Sequence, residues 1–263
     1  MARDPVKRHP AEIPLLVVGI VILLAVLPTV AIIIYQAFGV WWTIAFALAF
    51  LSLYIGRGFL NAYERASSVL ISERQFPDVH QRIVHFADEF GLKTVPDAYM
   101  TQEGGTLNAF AAKHNRRNYI RINSDIFEVG RFAIGPRPKD PDALDFIIAH
   151  EVGHVAASHV TYWYTFISSF ILVIPFIGSA LSRAKEYTAD NHGYAAVPNG
   201  IPGIVLLSGG KYLYPEIDDQ LFVERAETDR GVFVWLVNAF SSHPIITKRL
   251  QALHDRSRPG KLF

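Results

Sequence analysis

Residues 146–158, FIIAHEVGHVAAS, set two histidines and a glutamate into an otherwise apolar run. Burying three such groups is costly unless they are paired or hold a metal, so what satisfies them decides how the rest of the chain is read. On a helix His150 and His154 stand one turn apart, about 40° around the axis, and both rings can reach one atom. Glu151 lies beside them. In the zinc metalloprotease arrangement two imidazoles at this spacing are ligands and the glutamate is the general base acting on water. Two hydrogen-bonded core histidines would give the same pattern without a metal. Gly153 costs about 1 kcal/mol in a helix interior relative to alanine, so either something approaches closely there or the position is merely tolerated.

A catalytic zinc of this kind needs a third protein ligand and an open fourth position. SRAKEYTADNHG, residues 182–193, offers Glu186 and Asp190 at i, i+4 on a predicted helix. Glu186 completes a His₂Glu set. Asp190 is suited to accept the outer N–H of a ligand histidine, which fixes its tautomer and raises its basicity. Without the histidine pair the same residues would read as a solvated helix face. Neither His159 nor His192 stands out as a fourth protein ligand, which favours an open site over a closed structural one.

The composition leans toward a membrane. Of 263 residues 51% are hydrophobic and 19% charged, against about 25% charged in soluble domains. A net charge of +1 and the lack of a Lys/Arg stripe or phosphate-cradling loop give no case for nucleic acid as a partner. There is no cysteine, hence no disulfide, thiolate ligand or cysteine nucleophile.

Residues 14–36 carry no charge, and 39–56 form a second uncharged run with Trp41, Trp42 and Tyr54 near its ends. Roughly 20 apolar residues cross a bilayer, so residues 1–60 read as a transmembrane helical hairpin in contact with lipid. The first run is too long for a cleaved signal peptide. Arg3, Lys7 and Arg8 precede the hairpin, Arg57, Arg65 and Arg74 follow it, and the short connection has no positive charge. The positive-inside rule then puts both ends, and the domain that follows, on the cytoplasmic side of a plasma or inner membrane.

Residues 61–263 are enough for one domain. Val79, Ile83, Phe86 and Phe90 share a helical face that Gly91 ends. Strand-like runs at about 105–112 and 118–123 flank a polar turn at 114–118 and predict a β-hairpin. Pro141 and Asp142 suit a helix start, with Leu144, Ile147, Ile148 and Val155 as its buried face. A last helix opening at Pro244 carries Ile246, Leu250 and Leu253. The fold class predicted is therefore α+β, mainly helical, with a small β-hairpin or sheet behind a two-helix membrane hairpin.

HEVGH at 150–154, SRAKEYTAD at 182–190 and SHPIITKRLQAL at 242–253 together resemble the HtpX-like and CAAX prenyl protease family of membrane-bound zinc endopeptidases. NAFAA at 108–112 is similar to that family's substrate-side strand. The likeness covers most of residues 60–263; the HExxH and ExxxD pair is specific, whereas NAF and HP are weak alone. It implies a zincin-like fold, one Zn²⁺ held by His150, His154 and Glu186, and Glu151 activating water to hydrolyse a peptide bond. It also implies polypeptide substrates, among them membrane proteins and their flexible segments. His243 matches a family histidine near the site, a candidate for stabilising the oxyanion, or else a helix cap before Pro244. Asn108, Ala109 and Phe110 would lie on an edge strand that pairs with extended substrate, or form a plain hairpin strand. Arg249 reads as an ion-pair partner.

Residues 161–182, TYWYTFISSFILVIPFIGSALS, form a further apolar segment. One crossing here would put Glu186 on the far face from His150 and His154, which a shared zinc forbids. Two crossings would need roughly 40 residues, and 31 separate His154 from Glu186. The segment is expected to fold back near Pro175 and pack on the anchor or dip into the interface. The competing function is a catalytically inactive, zinc-stabilised membrane adaptor; a channel or transporter is disfavoured because the spans carry no charge.

Overall fold

The computed structural model describes residues 6–104, 107–114, 116–133 and 138–263. Arg3, the start of the first strand-like run (105–106), position 115 of the predicted turn and the loop at 134–137 lie outside them.

Two apolar helices open the chain, α1 (Glu12–Phe38) and α2 (Val40–Ser67), and both are long and apolar enough to cross a membrane. Gly39 alone joins them, at φ 84, a backbone conformation that an L side chain resists. The helix of α2 outlasts its apolar run: Arg57 ends the uncharged stretch, but residues 57–67 contain no proline and continue as helix. A charge stops a span without stopping a helix.

Short strands and helices follow: β1 (Val69–Ile71), α3 (Pro77–Glu89), β2 (Asp97–Thr101), β3 (Ala109–His114), β4 (Arg117–Asn123) and α4 (Ser124–Arg131). The predicted hairpin is present as β3–β4, antiparallel from Ala109↔Ile122 to His114↔Arg117. It belongs to a four-stranded mixed sheet in the order β1-β2-β4-β3, with β2 and β4 parallel. As an inner strand β4 buries Tyr119, Ile120 and Ile122, whereas β3 is an edge.

Next come α5 (Pro141–Ala156), α6 (Tyr162–Ile171), α7 (Ile177–Ala196), α8 (Pro202–Leu213), α9 (Asp219–Thr228), α10 (Val232–Phe240) and α11 (Ile246–His254). Asp140 caps α5, its carboxylate accepting from Ala143 N–H at 3.0 Å, and Pro141 takes the first turn. Leu144, Ile147, Ile148 and Val155 are buried, and so is nearly every other residue of α5, which forms the centre of the core against α3, α4, α7 and α8. The last helix starts at Ile246 rather than Pro244, and its N-cap, Ile245, makes no side-chain cap bond.

Residues 161–182 form no continuous helix. Ten residues of α6, about 15 Å long and too short to span, turn through 172–176 into α7. Ile171 sits where a side chain on Gly19 of α1 would be, Phe170 packs on Phe50 of α2, and Tyr162 packs on Tyr54. Leu16, Tyr164, Ile171 and Leu181 make a second, smaller apolar cluster joining α1, α6 and α7. The segment before α1 is locked to the domain as well. His9 N–H donates to Thr188 Oγ1 at 2.9 Å, the His9 ring stacks on Tyr187, and Asn191 donates to the Lys7 carbonyl at 2.8 Å.

Candidate metal centre

Two helices build the site. α5 supplies His150, Glu151 and His154, and α7 supplies Glu186 and Asp190. They pack closely because α5 has no side chain at Gly153: a Cβ there would stand 2.6 Å from His192 Cβ and 2.9 Å from Cγ on α7. Close approach, not tolerance, explains this glycine.

His150 Nε2 lies 3.6 Å from Glu186 Oε2, and His154 Nε2 lies 3.5 Å from Glu186 Oε1. One ligand atom from each of the three residues falls within 4.8 Å of the others. Donors about 2.0–2.1 Å from a tetrahedral zinc stand roughly 3.4 Å apart, so these spacings fit the edges of such a site with little movement. Nitrogen and carboxylate oxygen donors also suit zinc.

Behind His150 the support is complete. Its Nδ1 is 2.9 Å from Asp190 Oδ1, and Arg249 donates to the same carboxylate through Nε at 2.9 Å and Nη2 at 2.5 Å. Arg249 is thus a buried ion-pair partner. Behind His154 stands His159, Nδ1 to Nδ1 at 2.8 Å, and His159 Nε2 is 3.1 Å from Glu12 Oε1. His159 thus stands behind His154, on the side opposite the Nε2 that faces Glu186. Neither Glu12 nor His159 was marked by spacing as part of the site; the one available signal was a charged residue opening the first apolar run.

The electrostatics follow from burial. Desolvation works against a charged His150, but its hydrogen bonds to the Asp190 and Glu186 carboxylates outweigh it and raise its pKa to about 10. Burial holds His154 well below the ordinary histidine range. Burial opposes ionisation of Glu186, yet His150 and His154 bring its pKa well below that of an ordinary glutamate. Asp190 is also depressed: the Arg249 charge and the His150 hydrogen bond overcome its burial.

Glu151 is different. It is buried, its Oε2 has no hydrogen-bond partner among the described residues, and desolvation raises its pKa to about 7, with His150 opposing the shift. A carboxyl group kept free beside a candidate metal position is poised to exchange a proton.

His243 lies in the loop between α10 and α11, exposed, with Nε2 3.7 Å from Glu186 Oε1 and Nδ1 3.1 Å from Ser242 Oγ. It borders the cluster and does not cap α11. Ala109 and Phe110 open the edge strand β3, which runs beside α5; Asn108 precedes it and accepts Asn123 N–H on its carbonyl at 3.0 Å. The Phe110 ring lies 4.5 Å from the Arg121 guanidinium and edge-on to Tyr119, so its aromatic face serves the sheet.

A His₂Glu cluster on two packed helices, with a glutamate beside it, could hold a metal ion and matches the ligand type of metal-dependent hydrolases. The family model of peptidase family M48 matches residues 73–169 and 161–257, and the chain belongs to that family, whose members are metallopeptidases. A protease HtpX homolog of Helicobacter pylori (strain Shi470) is 24% identical over 228 residues, 72% of this chain and 69% of the relative. A protease HtpX homolog of Helicobacter acinonychis (strain Sheeba) is 24% identical over 229 residues, covering 73% and 70%. No solved structure matches the chain. The fold expected from sequence, mainly helical with a small β-hairpin or sheet behind two apolar helices, is the fold observed, the sheet being four-stranded and mixed, and the chain is a protease of the HtpX-like kind.

Proposed function

We propose that this protease is a membrane-anchored zinc endopeptidase whose catalytic domain works at the cytoplasmic face of a cell membrane. The observation that carries the reading is the convergence of His150, His154 and Glu186 on one point, with the buried Glu151 next to His150 on the same helix. His150, His154 and Glu186 would hold the ion, and Asp190 and Arg249 hold the His150 ring to its task. Bound zinc supplies a Lewis acid that polarises the scissile carbonyl and makes water acidic.

Glu151 takes the proton from attacking water and passes it to the departing amide nitrogen, the role of a general base and then a general acid. His243, exposed at the rim, donates a hydrogen bond to the oxyanion that forms. The edge strand receives extended substrate at Asn108–Phe110 through main-chain hydrogen bonds, which ask little of substrate sequence. That tolerance suits flexible segments of unassembled or damaged membrane proteins.

The membrane placement rests on more than the two apolar helices. The tip of the α6–α7 turn and α10 leave Leu172, Val173, Phe176, Phe233 and Phe240 exposed. Phe176 packs on Trp235 and Phe240, so this surface continues from α6, beside the anchor, to α10. A patch of that kind on a soluble face would invite aggregation; against lipid it adds to the anchor. α10 ends just before His243, so a bilayer against this patch would lie close to the rim of the proposed metal centre.

Glu151→Gln keeps the shape of the side chain and removes its basicity. Cleavage of an unfolded protein substrate should fall by at least about two orders of magnitude while bound zinc is retained. Undiminished cleavage in that variant removes Glu151 from the reaction. A wild-type protein that binds zinc tightly yet cleaves nothing would favour the zinc-stabilised adaptor instead.

A further inference from the structure

The two ligand histidines are held from behind in different ways, and the difference leads to the membrane anchor. His150 Nδ1 rests on a carboxylate, Asp190, at 2.9 Å. His154 Nδ1 instead meets Nδ1 of His159 at 2.8 Å, and a carboxylate enters only one step later, where His159 Nε2 reaches Glu12 Oε1 at 3.1 Å. Glu12 is the first residue of α1 and is fully buried. Arg8 donates to its Oε1 at 2.5 Å and Tyr164 O–H at 3.2 Å, while Thr188 Oγ1 donates to Oε2 at 2.5 Å.

We propose that Glu12, acting through His159, fixes the tautomer and aim of His154, so that the first turn of the anchor helix is a positioning part of the metal centre. This rests on the reading of His150, His154 and Glu186 as zinc ligands. With a neutral His159 the hydrogen bonds permit one consistent arrangement. Glu12 receives donors from Arg8, Tyr164 and Thr188, and as a carboxylate it only accepts. His159 Nε2 therefore carries the N–H. The other nitrogen of the neutral His159 ring, Nδ1, is then an acceptor. The facing Nδ1 of His154 must be the donor, which leaves the lone pair of His154 on Nε2, 3.5 Å from Glu186 Oε1. The opposite tautomer would aim an N–H of His154 into the cluster and bar it from ligating a metal.

Glu12 and His159 touch neither substrate nor the reacting atoms, so the test must separate metal binding from stability. Zinc affinity is measured on the purified full chain by chelator competition, beside thermal unfolding of the metal-free protein. Glu12→Ala and His159→Phe should each weaken zinc binding by about 10- to 100-fold, and the double variant should bind no worse than the weaker single one. Glu12→Gln keeps an oxygen toward Arg8 and His159 and should recover most of the loss. Tyr164→Phe removes a different bond to the same carboxylate and should lower stability while leaving zinc affinity unchanged.

His159→Phe leaves the bonds from Arg8, Tyr164 and Thr188 to Glu12 intact, so it carries the test if Glu12→Ala does not fold. Wild-type affinity in either relay variant overturns the proposal. So does affinity that merely tracks stability across the series, Tyr164→Phe included. A wild-type chain without zinc binding overturns the metal reading itself, and the relay with it.

Discussion

Placing a methyl group on Gly153 sets two effects against each other. Alanine favours a helix interior over glycine by about 1 kcal/mol. Its Cβ, however, would stand 2.6 Å from His192 Cβ and 2.9 Å from Cγ. Carbon atoms need roughly 3.5–4.0 Å, so α5 and α7 must part by about 1 Å at this contact. His192 Cβ belongs to the stem of its side chain and cannot swing aside cheaply. Overpacking of this kind costs about 1–3 kcal/mol, and the helix gain offsets only part of it. A net loss near 1 kcal/mol lowers the melting temperature by about 2–4 °C for a chain of this size. The metal centre is hit harder than the fold. Glu186 and His192 share α7, so the retreat is felt at the carboxylate, whereas metal ligation tolerates only about 0.2 Å. Gly153→Ala should therefore bind zinc at least about tenfold more weakly, a change of about 1.4 kcal/mol. Gly58→Ala on α2, where an added Cβ meets nothing within 4 Å, is the control and should leave zinc binding alone. Detergent-solubilised protein, followed by chelator competition and thermal unfolding of the metal-free form, gives both quantities. A Gly153→Ala variant as stable as wild type, with undiminished zinc affinity, would refute the close-packing argument.

Two further outcomes follow from the same geometry. In the metal-free protein His150 has its pKa raised to about 10 and Glu151 to about 7, so at neutral pH His150 holds a proton, and Glu151 a fraction of one, that a dication must displace. The metal-free form binds more protons than the zinc form, and apparent zinc affinity should rise about tenfold per pH unit for each proton released between pH 6 and 8; calorimetry in buffers of different ionisation enthalpy counts them, and a flat profile contradicts the electrostatics. Arg249→Met leaves Asp190 buried with only His150 beside it and should cost about 3–5 kcal/mol in denaturant unfolding; a loss below about 1 kcal/mol would show that the pair is not structurally needed.

Much of the site was legible because its chemistry is local. His150, Glu151 and His154 share one turn of α5, and Glu186 with Asp190 share one turn of α7, so the periodicity of a helix was enough to group them. Only the pairing of those two helices had to be supplied, and Gly153 was the mark of it. The sheet was half legible: the β3–β4 hairpin shows in turn chemistry, but the parallel pairing of β2 with β4 is a long-range choice with no local signature. The start of α11 slid past Pro244 because a proline suits a first turn without compelling one. Glu12 was hidden for a different reason. At the head of an apolar run it reads as the charged edge of a membrane span, and its partners His159, Tyr164 and Thr188 lie 147, 152 and 176 residues away. Contacts of that range come from how α1, α6 and α7 pack, not from the pattern of any one of them.

The central claim is a metal held between α5 and α7, and metal content tests it most directly. Elemental mass spectrometry of the purified full chain, wild type beside Glu186→Ala, should find about one zinc per wild-type chain and little in the variant. Zinc absent from the wild type, or retained in full without Glu186, would contradict the three-ligand centre.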